Sequence, residues 1–108
     1  MMNKPMDIQD LTQAMHRFVS DKGWYDPASP RPQTPRNLAI SLSLEASEVL
    51  ELFQWQDAPP QPEILADELA DVALYLLQIA SVSGIDLEKA ILAKLERNAL
   101  RTWDSPQA

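Results

Sequence analysis

The sequence predicts an all-α domain whose four helices pack as a bundle. Four stretches carry apolar residues at spacings of three and four, which is the pattern of an amphipathic helix. Proline or glycine separates these stretches, and no stretch alternates apolar and polar residues as a half-buried strand would. The length suits one domain over residues 1–108. Short connections between the later helices favour antiparallel neighbours in a four-helix bundle.

The first helix is expected from about Asp7 to Lys22, with apolar residues along one face. Gly23 follows, and glycine often ends a helix because it readily takes a positive φ. A proline-rich loop over residues 24–36 comes next, since its prolines prevent a regular helix.

The second helix is expected to begin at Thr34 and Pro35, because threonine is a good N-cap and proline suits the first helical position. It should run to about Gln56, before a second proline-rich break. The third helix covers roughly residues 62–83, and Gly84 ends it.

The fourth helix should begin after Asp86, a favourable N-cap, and continue to about Arg101. Residues 103–108 are expected to form a flexible tail. Because a domain this small buries little surface on its own, assembly into a homo-oligomer is also expected.

Composition excludes several classes of protein. The chain has no cysteine, so disulfide scaffolds, thiol catalysis and cysteine–zinc sites are ruled out. The first residues lack a basic region followed by an apolar run, and no apolar stretch approaches membrane-spanning length. A cytoplasmic protein with no membrane partner is therefore expected. The net charge of -7 disfavours a nucleic acid as partner.

The acidic residues are distributed unevenly along the chain. No lysine or arginine occurs between Arg36 and Lys89, yet ten acidic residues fall in that interval. Such a run indicates either a solvated acidic face or a cation supplied from outside the chain.

Four of these acids interrupt or border the apolar faces of the second and third helices. Glu45 takes the place of an apolar residue in the stripe of the second helix, and Glu48 lies at the edge of that stripe. Glu51 lies further round, towards the polar side. In the third helix, Glu68 falls inside the apolar sector and Asp71 at its edge.

Burying carboxylates is unfavourable, and gathering four of them adds mutual repulsion. Either raised pKa values with shared protons or a bound cation would relieve the repulsion. Oxygen-only ligands favour Mg²⁺, with Mn²⁺ as an alternative, over zinc. The sequence therefore predicts a metal site built from Glu45, Glu48, Glu68 and Asp71.

Further candidates for ligand contacts are polar and basic residues of the fourth helix and several aromatic residues. Lys94, Asn98 and Arg101 share one face of the fourth helix, which is either a solvated basic edge or a surface for phosphate. Trp24, Trp55 and Tyr75 all suit packing, and Trp55, at the end of the second helix, could also stack on a base. His16, the single histidine, is expected to be structural or exposed.

These residues resemble the MazG-like all-α nucleotide pyrophosphohydrolases, and among them the dCTP pyrophosphatase branch. The resemblance covers about residues 7–101, nearly the whole chain. It is carried by the following motifs: Glu45-Ala-Ser-Glu48, Asp67-Glu68-Leu-Ala-Asp71-Val72, Pro35-Arg-Asn-Leu38, Glu51-Leu-Phe-Gln-Trp55, Tyr75, Lys94, Asn98 and Arg101.

The resemblance implies hydrolysis of a nucleoside triphosphate, such as dCTP or a modified nucleotide, to the monophosphate and pyrophosphate. It implies Mg²⁺ held by the four acids, and a homodimer or homotetramer with sites near subunit interfaces. Glu48 is our preferred acceptor of the proton of the attacking water. Contacts with the base would come from Trp55 and Trp24, and contacts with the sugar or phosphates from Tyr75, Lys94, Asn98 and Arg101.

The proline-rich loop departs from that branch, which usually has a shorter connection carrying a Phe-His pair. Here the loop is longer and has no histidine, so the preferred base stays open. Two alternatives to an enzyme also stay open. One is a non-catalytic helical interaction module, and the other is a regulatory protein that binds nucleotides without cleaving them.

Overall fold

A computed structural model describes residues 5–102 of the chain. In this range the secondary structure consists of four helices, with no strand: α1 Ile8–Asp21, α2 Pro35–Glu51, α3 Pro62–Val82 and α4 Leu87–Leu100. The prediction of an all-α chain with four helices is therefore confirmed. The predicted flexible tail, residues 103–108, lies outside the described residues.

Side-chain caps begin three of the helices where the sequence predicts them. Asp7 accepts a hydrogen bond from the backbone of Asp10, whose side chain bonds back to Asp7 in a capping box. Thr34 caps α2 with Pro35 as its first residue, and Asp86 caps α4. These local hydrogen bonds satisfy backbone donors that have no partner within the helix.

Both glycines of the chain end helices. Gly23 after α1 has φ +76° and Gly84 after α3 has φ +71°, a conformation that other residues rarely adopt. Beyond each glycine the next backbone N–H bonds back into the helix, from Trp24 to Val19 and from Ile85 to Ala80. The predicted ends of α1 and α3 are confirmed to within a residue.

The second helix ends at Glu51, five residues before the predicted Gln56. After Glu51 the chain tightens through successive bonds of the i to i−3 type, and Trp55 then takes a positive φ of 71°. This conformation normally favours glycine. The sequence has no glycine between Gly23 and Gly84, so nothing local marked the earlier end of α2.

Three helices form the packed part of the protein. The pair α2 and α3 makes the most extensive contact, and α1 packs on α3. Met15 and Val19 of α1 meet Leu77 of α3 in the core, and Trp24 is packed against them. The structure thus places α3 at the centre, in contact with each of the other helices.

The fourth helix does not lie antiparallel to α3, as the short connection led us to expect. The two helices meet at a bend of 102°, and α4 has no buried residue. Leu92 and Leu95 are 56% and 59% exposed. Apolar spacing defines the apolar face of a helix but not the direction in which that helix leaves its predecessor, and here the turn at Gly84 sets that direction.

Among the described residues, no single helix has the length and apolarity of a membrane span. Only α3 and α4 taken together, across their bend, meet those criteria of length and composition.

Candidate metal centre and adjoining cavity

Three glutamates from two helices converge at one point of the α2–α3 contact. Glu45 and Glu48 stand one turn apart on α2, and Glu68 stands on α3. Each offers a carboxylate oxygen, and these oxygens all lie within 4.8 Å of one another. Residues three apart project from the same side of a helix, so the two helices together surround a small space with oxygen atoms.

The glutamates differ in their exposure to solvent. Glu45 and Glu68 are half-buried, and the Oε2 atom of each is shielded from water without accepting a hydrogen bond. Glu48 is exposed. A buried acceptor without a partner is unfavourable, so these two oxygens call for a proton or a cation.

The surroundings of the buried carboxylates raise their pKa values. Desolvation, and then the neighbouring carboxylate of Glu48, raise the pKa of Glu45 to about 7, with Asp71 and Glu68 adding to the effect. The pKa of Glu68 is raised by desolvation first, then by Glu48 and by the charges of Asp71 and Asp67. A carboxyl group that titrates near neutrality retains protons that a cation can displace.

Asp71 is the fourth predicted ligand, and the structure places it beside the three glutamates. Its charge acts on both Glu45 and Glu68, although it is not within the 4.8 Å group. It is exposed, as is Glu48. The two acids predicted inside the apolar faces are thus the less exposed pair, and the two predicted at the edge face solvent.

These donors fit a hard divalent cation. All are carboxylate oxygens, which Mg²⁺ and Mn²⁺ prefer as ligands. The Oε2 atoms of Glu45 and Glu68 accept no hydrogen bond, so they are available to bind a metal ion. The residues that could hold the ion are Glu45, Glu48, Glu68 and Asp71.

An open cavity of about 730 Å³ lies next to this cluster, lined by residues of α1, the proline-rich loop, α2 and α3. Asp71 belongs both to the wall of the cavity and to the surroundings of the glutamates, and so joins the two. Tyr75, one turn further along α3, also lines the cavity. The volume suits a small organic ligand, whose charged end would meet the carboxylates.

Trp24 lines the same cavity from the side of the loop. It is half-buried, with its ring edge-on to Phe18 at a centroid distance of 5.7 Å. The guanidinium group of Arg31 lies 5.7 Å from the centre of the Trp24 ring, a cation–π contact. Trp24 therefore serves the packing of the loop as well as the cavity wall.

Trp55 and the α4 residues lie apart from this cavity. Trp55 is 92% exposed in the turn after α2 and is not part of the cavity wall. Lys94 and Arg101 are exposed, Asn98 is half-buried, and none of the three lines the cavity. The structure does not bring these four residues to the cavity within one chain, and their roles stay predictions.

The predicted site residues do not include Arg31, Gln33 or Gln78, and Asn37 was named only within the motif Pro35-Arg-Asn-Leu38. Arg31, Gln33 and Asn37 line the cavity, as does Gln78, which is only 2% exposed. The signal for Gln78 was present, because it is a polar residue within the apolar run Leu76-Leu-Gln-Ile-Ala80. His16 is half-buried and hydrogen-bonded to Tyr25 and Ser81, which agrees with the expected structural role.

The fold and this cluster together define a class: all-α proteins in which paired helices bring carboxylates together beside a cavity. Over residues 40–105 the chain matches the MazG-like family. This segment includes the four acids but not the proline-rich loop. The chain belongs to the MazG-like family, which confirms the resemblance found in the sequence.

Curated relatives and a solved structure agree with that membership. The chain is 32% identical over 103 residues to dCTP pyrophosphatase 1 of Rattus norvegicus, and likewise to that of Homo sapiens. These alignments cover 87% of this chain and 58% of each relative, so the chain spans little more than half their length. The crystal structure of a pyrophosphatase from Archaeoglobus fulgidus is similar with a TM-score of 0.69 and 30% identity, covering 91% of this chain and 94% of the other.

Proposed function

We propose that this protein is a metal-dependent nucleoside triphosphate pyrophosphohydrolase, which converts a (d)NTP and water to the (d)NMP and pyrophosphate. The observation that carries the proposal is the pair of shielded, unpartnered carboxylate oxygens of Glu45 and Glu68 beside a cavity of nucleotide size. The likeness to dCTP pyrophosphatases supports a deoxynucleotide, dCTP or a modified one, as the substrate.

In this proposal the cation is Mg²⁺, with Mn²⁺ as an alternative, held by Glu45, Glu48, Glu68 and Asp71. When bound, such an ion neutralises triphosphate oxygens and makes water a better nucleophile. The chain contributes the position of the ion, because two packed helices fix the carboxylates on both sides of it. Asp71 keeps the ion next to the cavity, where the phosphates and the nucleoside meet.

Glu48 is the residue we assign to accept the proton of the attacking water at its carboxylate. It is exposed, unlike Glu45 and Glu68, and it lies within reach of both. An exposed carboxylate in this position contacts solvent and the metal ligands alike, which a proton acceptor requires.

The cavity would hold the nucleoside. Tyr75 and Trp24 line it and offer aromatic surface to the sugar and the base. Lys94, Asn98 and Arg101 are assigned to the phosphates and Trp55 to the base, by likeness to the family. None of these four lines the cavity of its own chain, so we assign them within an assembled protein.

A homodimer or homotetramer is part of the proposal. The exposed apolar side chains Ile40, Leu44 and Leu50 of α2, and Leu92 and Leu95 of α4, support it. Apolar surface of this extent on a small domain is usually covered by another chain.

The experiment is a panel of canonical and modified nucleoside triphosphates, with pyrophosphate release measured in Mg²⁺ and in EDTA. We expect release that requires the metal and favours a deoxynucleotide. Binding without release from any nucleotide would instead identify a regulatory nucleotide binder. Neither binding nor release would leave the helical interaction module as the remaining explanation.

A further inference from the structure

A buried amide fastens the proline-rich loop to α3. Gln78 is 2% exposed, and its Nε2 donates to the Oε1 of Gln33 at 2.8 Å and to the hydroxyl of Tyr25 at 3.2 Å. Tyr25 and Gln33 stand near the two ends of the loop, so one side chain of α3 holds both ends. A buried amide is costly without partners, and here its donor is fully used.

A second set of hydrogen bonds secures Tyr25. Its hydroxyl lies 2.6 Å from Nδ1 of His16, and Nε2 of His16 lies 2.7 Å from the hydroxyl of Ser81. Burial raises the pKa of Tyr25, against a smaller opposite effect of the Gln78 hydrogen bond, so its hydroxyl stays protonated. The first anchor of the loop is therefore connected to α1 and α3 together.

Between the anchors the loop is organised by bonds from its own side chains and by one bond from Asn37 of α2. Such bonds between side chain and backbone replace the regular bonds that prolines prevent. The bonds are Ala28 N–H to Asp26 at 2.9 Å, Arg31 N–H to Ser29 at 3.0 Å, Gln33 Nε2 to the carbonyl of Arg31 at 2.7 Å, and Asn37 Nδ2 to the carbonyl of Pro32 at 2.9 Å.

The fastened segment forms one wall of the 730 Å³ cavity. Pro30, Arg31, Pro32 and Gln33 all line it, as does Asp71 of α3. Both groups of the Gln33 amide are engaged, the oxygen by Gln78 and the nitrogen by the carbonyl of Arg31. The position of this wall therefore depends on the bond between Gln78 and Gln33.

We propose that Gln78 is a positioning residue for the nucleotide, which holds the proline-rich loop as a fixed cavity wall and thereby sets which nucleobases are accepted. This inference rests on the proposed function. Gln78 follows Asp71 by seven residues, about two helical turns and 10 Å along α3. It is thus remote from the carboxylates, so its loss should alter nucleotide binding and base discrimination while leaving the chemical step intact.

Two substitutions test the inference from opposite sides of the same bond. Gln78→Leu removes the donor and fills the buried position with a side chain of similar size, and Gln33→Leu removes the acceptor at a half-buried loop position. Gln33→Leu keeps the inference testable should Gln78→Leu fail to fold. Gln13→Leu, an exposed glutamine of α1, is the matched control.

For each variant we would measure kcat and KM for nucleotides with the four bases, and dissociation constants for their non-hydrolysable α,β-imido analogues in Mg²⁺. We expect KM and the dissociation constant of the nucleotide with the preferred base to rise about tenfold, because that factor corresponds to the free energy of one buried hydrogen bond. The ratio of kcat/KM between nucleotides with preferred and poor bases should decrease, and kcat should stay within about twofold of that of the unaltered protein. The double variant should show less than the sum of the two single effects, since both substitutions remove the bond between Gln78 and Gln33, while each also removes one bond of its own, to Tyr25 or to the carbonyl of Arg31.

Unchanged dissociation constants and base ratios in both variants would overturn the role of Gln78, as would a fall in kcat equal for all bases with KM unchanged. These results are distinct from failure of the proposed function, which would appear as no turnover by the unaltered protein. If the unaltered protein binds the analogues without turnover, their dissociation constants still decide the role of Gln78, and absence of analogue binding by the unaltered protein would overturn that role.

Discussion

Glu45 of α2 and Glu68 of α3 each bury one carboxylate oxygen, and neither of these Oε2 atoms accepts a hydrogen bond. The two carboxylates also lie with that of Glu48 inside a 4.8 Å group. Packing two helices through such a pair is unfavourable unless a proton or a cation is present. The stability of this protein should therefore depend on both pH and metal.

Without metal, the free energy of unfolding should fall as pH rises from about 4.5 to about 7. In this range the Glu45 carboxyl keeps its proton in the folded chain, where its pKa is about 7, and loses it in the unfolded chain, where the pKa is near 4.5. The folded state thus binds more protons than the unfolded state in this range. The resulting stabilisation is present at low pH and is lost as the pH rises through the pKa of Glu45 in the folded state.

Urea unfolding in EDTA across this range measures the effect, and Glu45→Gln should reduce the slope. Added Mg²⁺ should stabilise the protein more at about pH 8 than at about pH 5, because protons compete with the ion for the same carboxylates. A metal-free stability that climbs between these pH values would contradict the assignment.

Glu48→Gln should abolish most of the activity and stabilise the metal-free protein. The substitution removes the proposed proton acceptor and a proposed metal ligand, so turnover should fall by about 10²-fold or more. It also removes a charge that raises the pKa of both Glu45 and Glu68, so repulsion decreases. Pyrophosphate release and thermal unfolding in EDTA measure the two effects.

Glu51→Gln is the matched control for that substitution, since Glu51 is exposed on the same helix and outside the carboxylate group. It should leave both turnover and stability near those of the unaltered protein. Equal loss of turnover in the two variants would show that the activity depends on the overall negative charge of α2 and not on the carboxylate cluster.

Helix limits were predictable wherever a residue carries its own local signal. Thr34 and Asp86 provide side-chain caps, and Gly23 and Gly84 provide the positive φ that ends a helix. The end of α2 was not predictable, because Trp55 takes that conformation without being glycine. The direction of α4 was not predictable either, since its apolar spacing is the same whichever partner it meets.

The acids of the candidate site were predictable because they break an apolar pattern on two helices. Glu45 and Glu68 stand where apolar residues belong, and the structure indeed shields one oxygen of each. The cavity wall was predictable in part, because Trp24, Asp71 and Tyr75 line it. The position of the loop was not, because it depends on hydrogen bonds between residues far apart in sequence, such as Gln33 with Gln78 and His16 with Ser81.

Trp55→Gly should stabilise the isolated chain by about 1 kcal/mol, because glycine adopts the positive φ at this position without the steric cost of a side chain. Little packing is lost, since Trp55 is 92% exposed. Urea unfolding under conditions where the protein is monomeric measures the change.

Trp55→Ala provides the comparison, because it removes the ring but retains the strained backbone. It should leave stability within about 0.5 kcal/mol of the unaltered protein. Both variants should raise KM if the ring contacts the base, as we propose. Equal stabilities of the two variants would show that the backbone at position 55 is not strained.

Leu95→Gln should weaken assembly. Leu95 is 59% exposed on α4, so a polar side chain there should cost a monomer little. If a second chain covers this face, the substitution should shift the sedimentation coefficient towards the monomer at low micromolar concentration. Glu96→Gln, the exposed neighbour, should leave the assembly intact.

The cavity wall and the carboxylate cluster are built by different parts of this small protein. Residues 26–32 lie between Tyr25 and Gln33 and are held at these ends, whereas the carboxylates stand on helices that the segment does not build. Exchange of this segment for another of equal length should therefore change the base preference of the proposed enzyme without changing the chemical step. In the proposed enzyme, such a division would let the helices that carry the carboxylates acquire new substrates through a single replaceable stretch of chain.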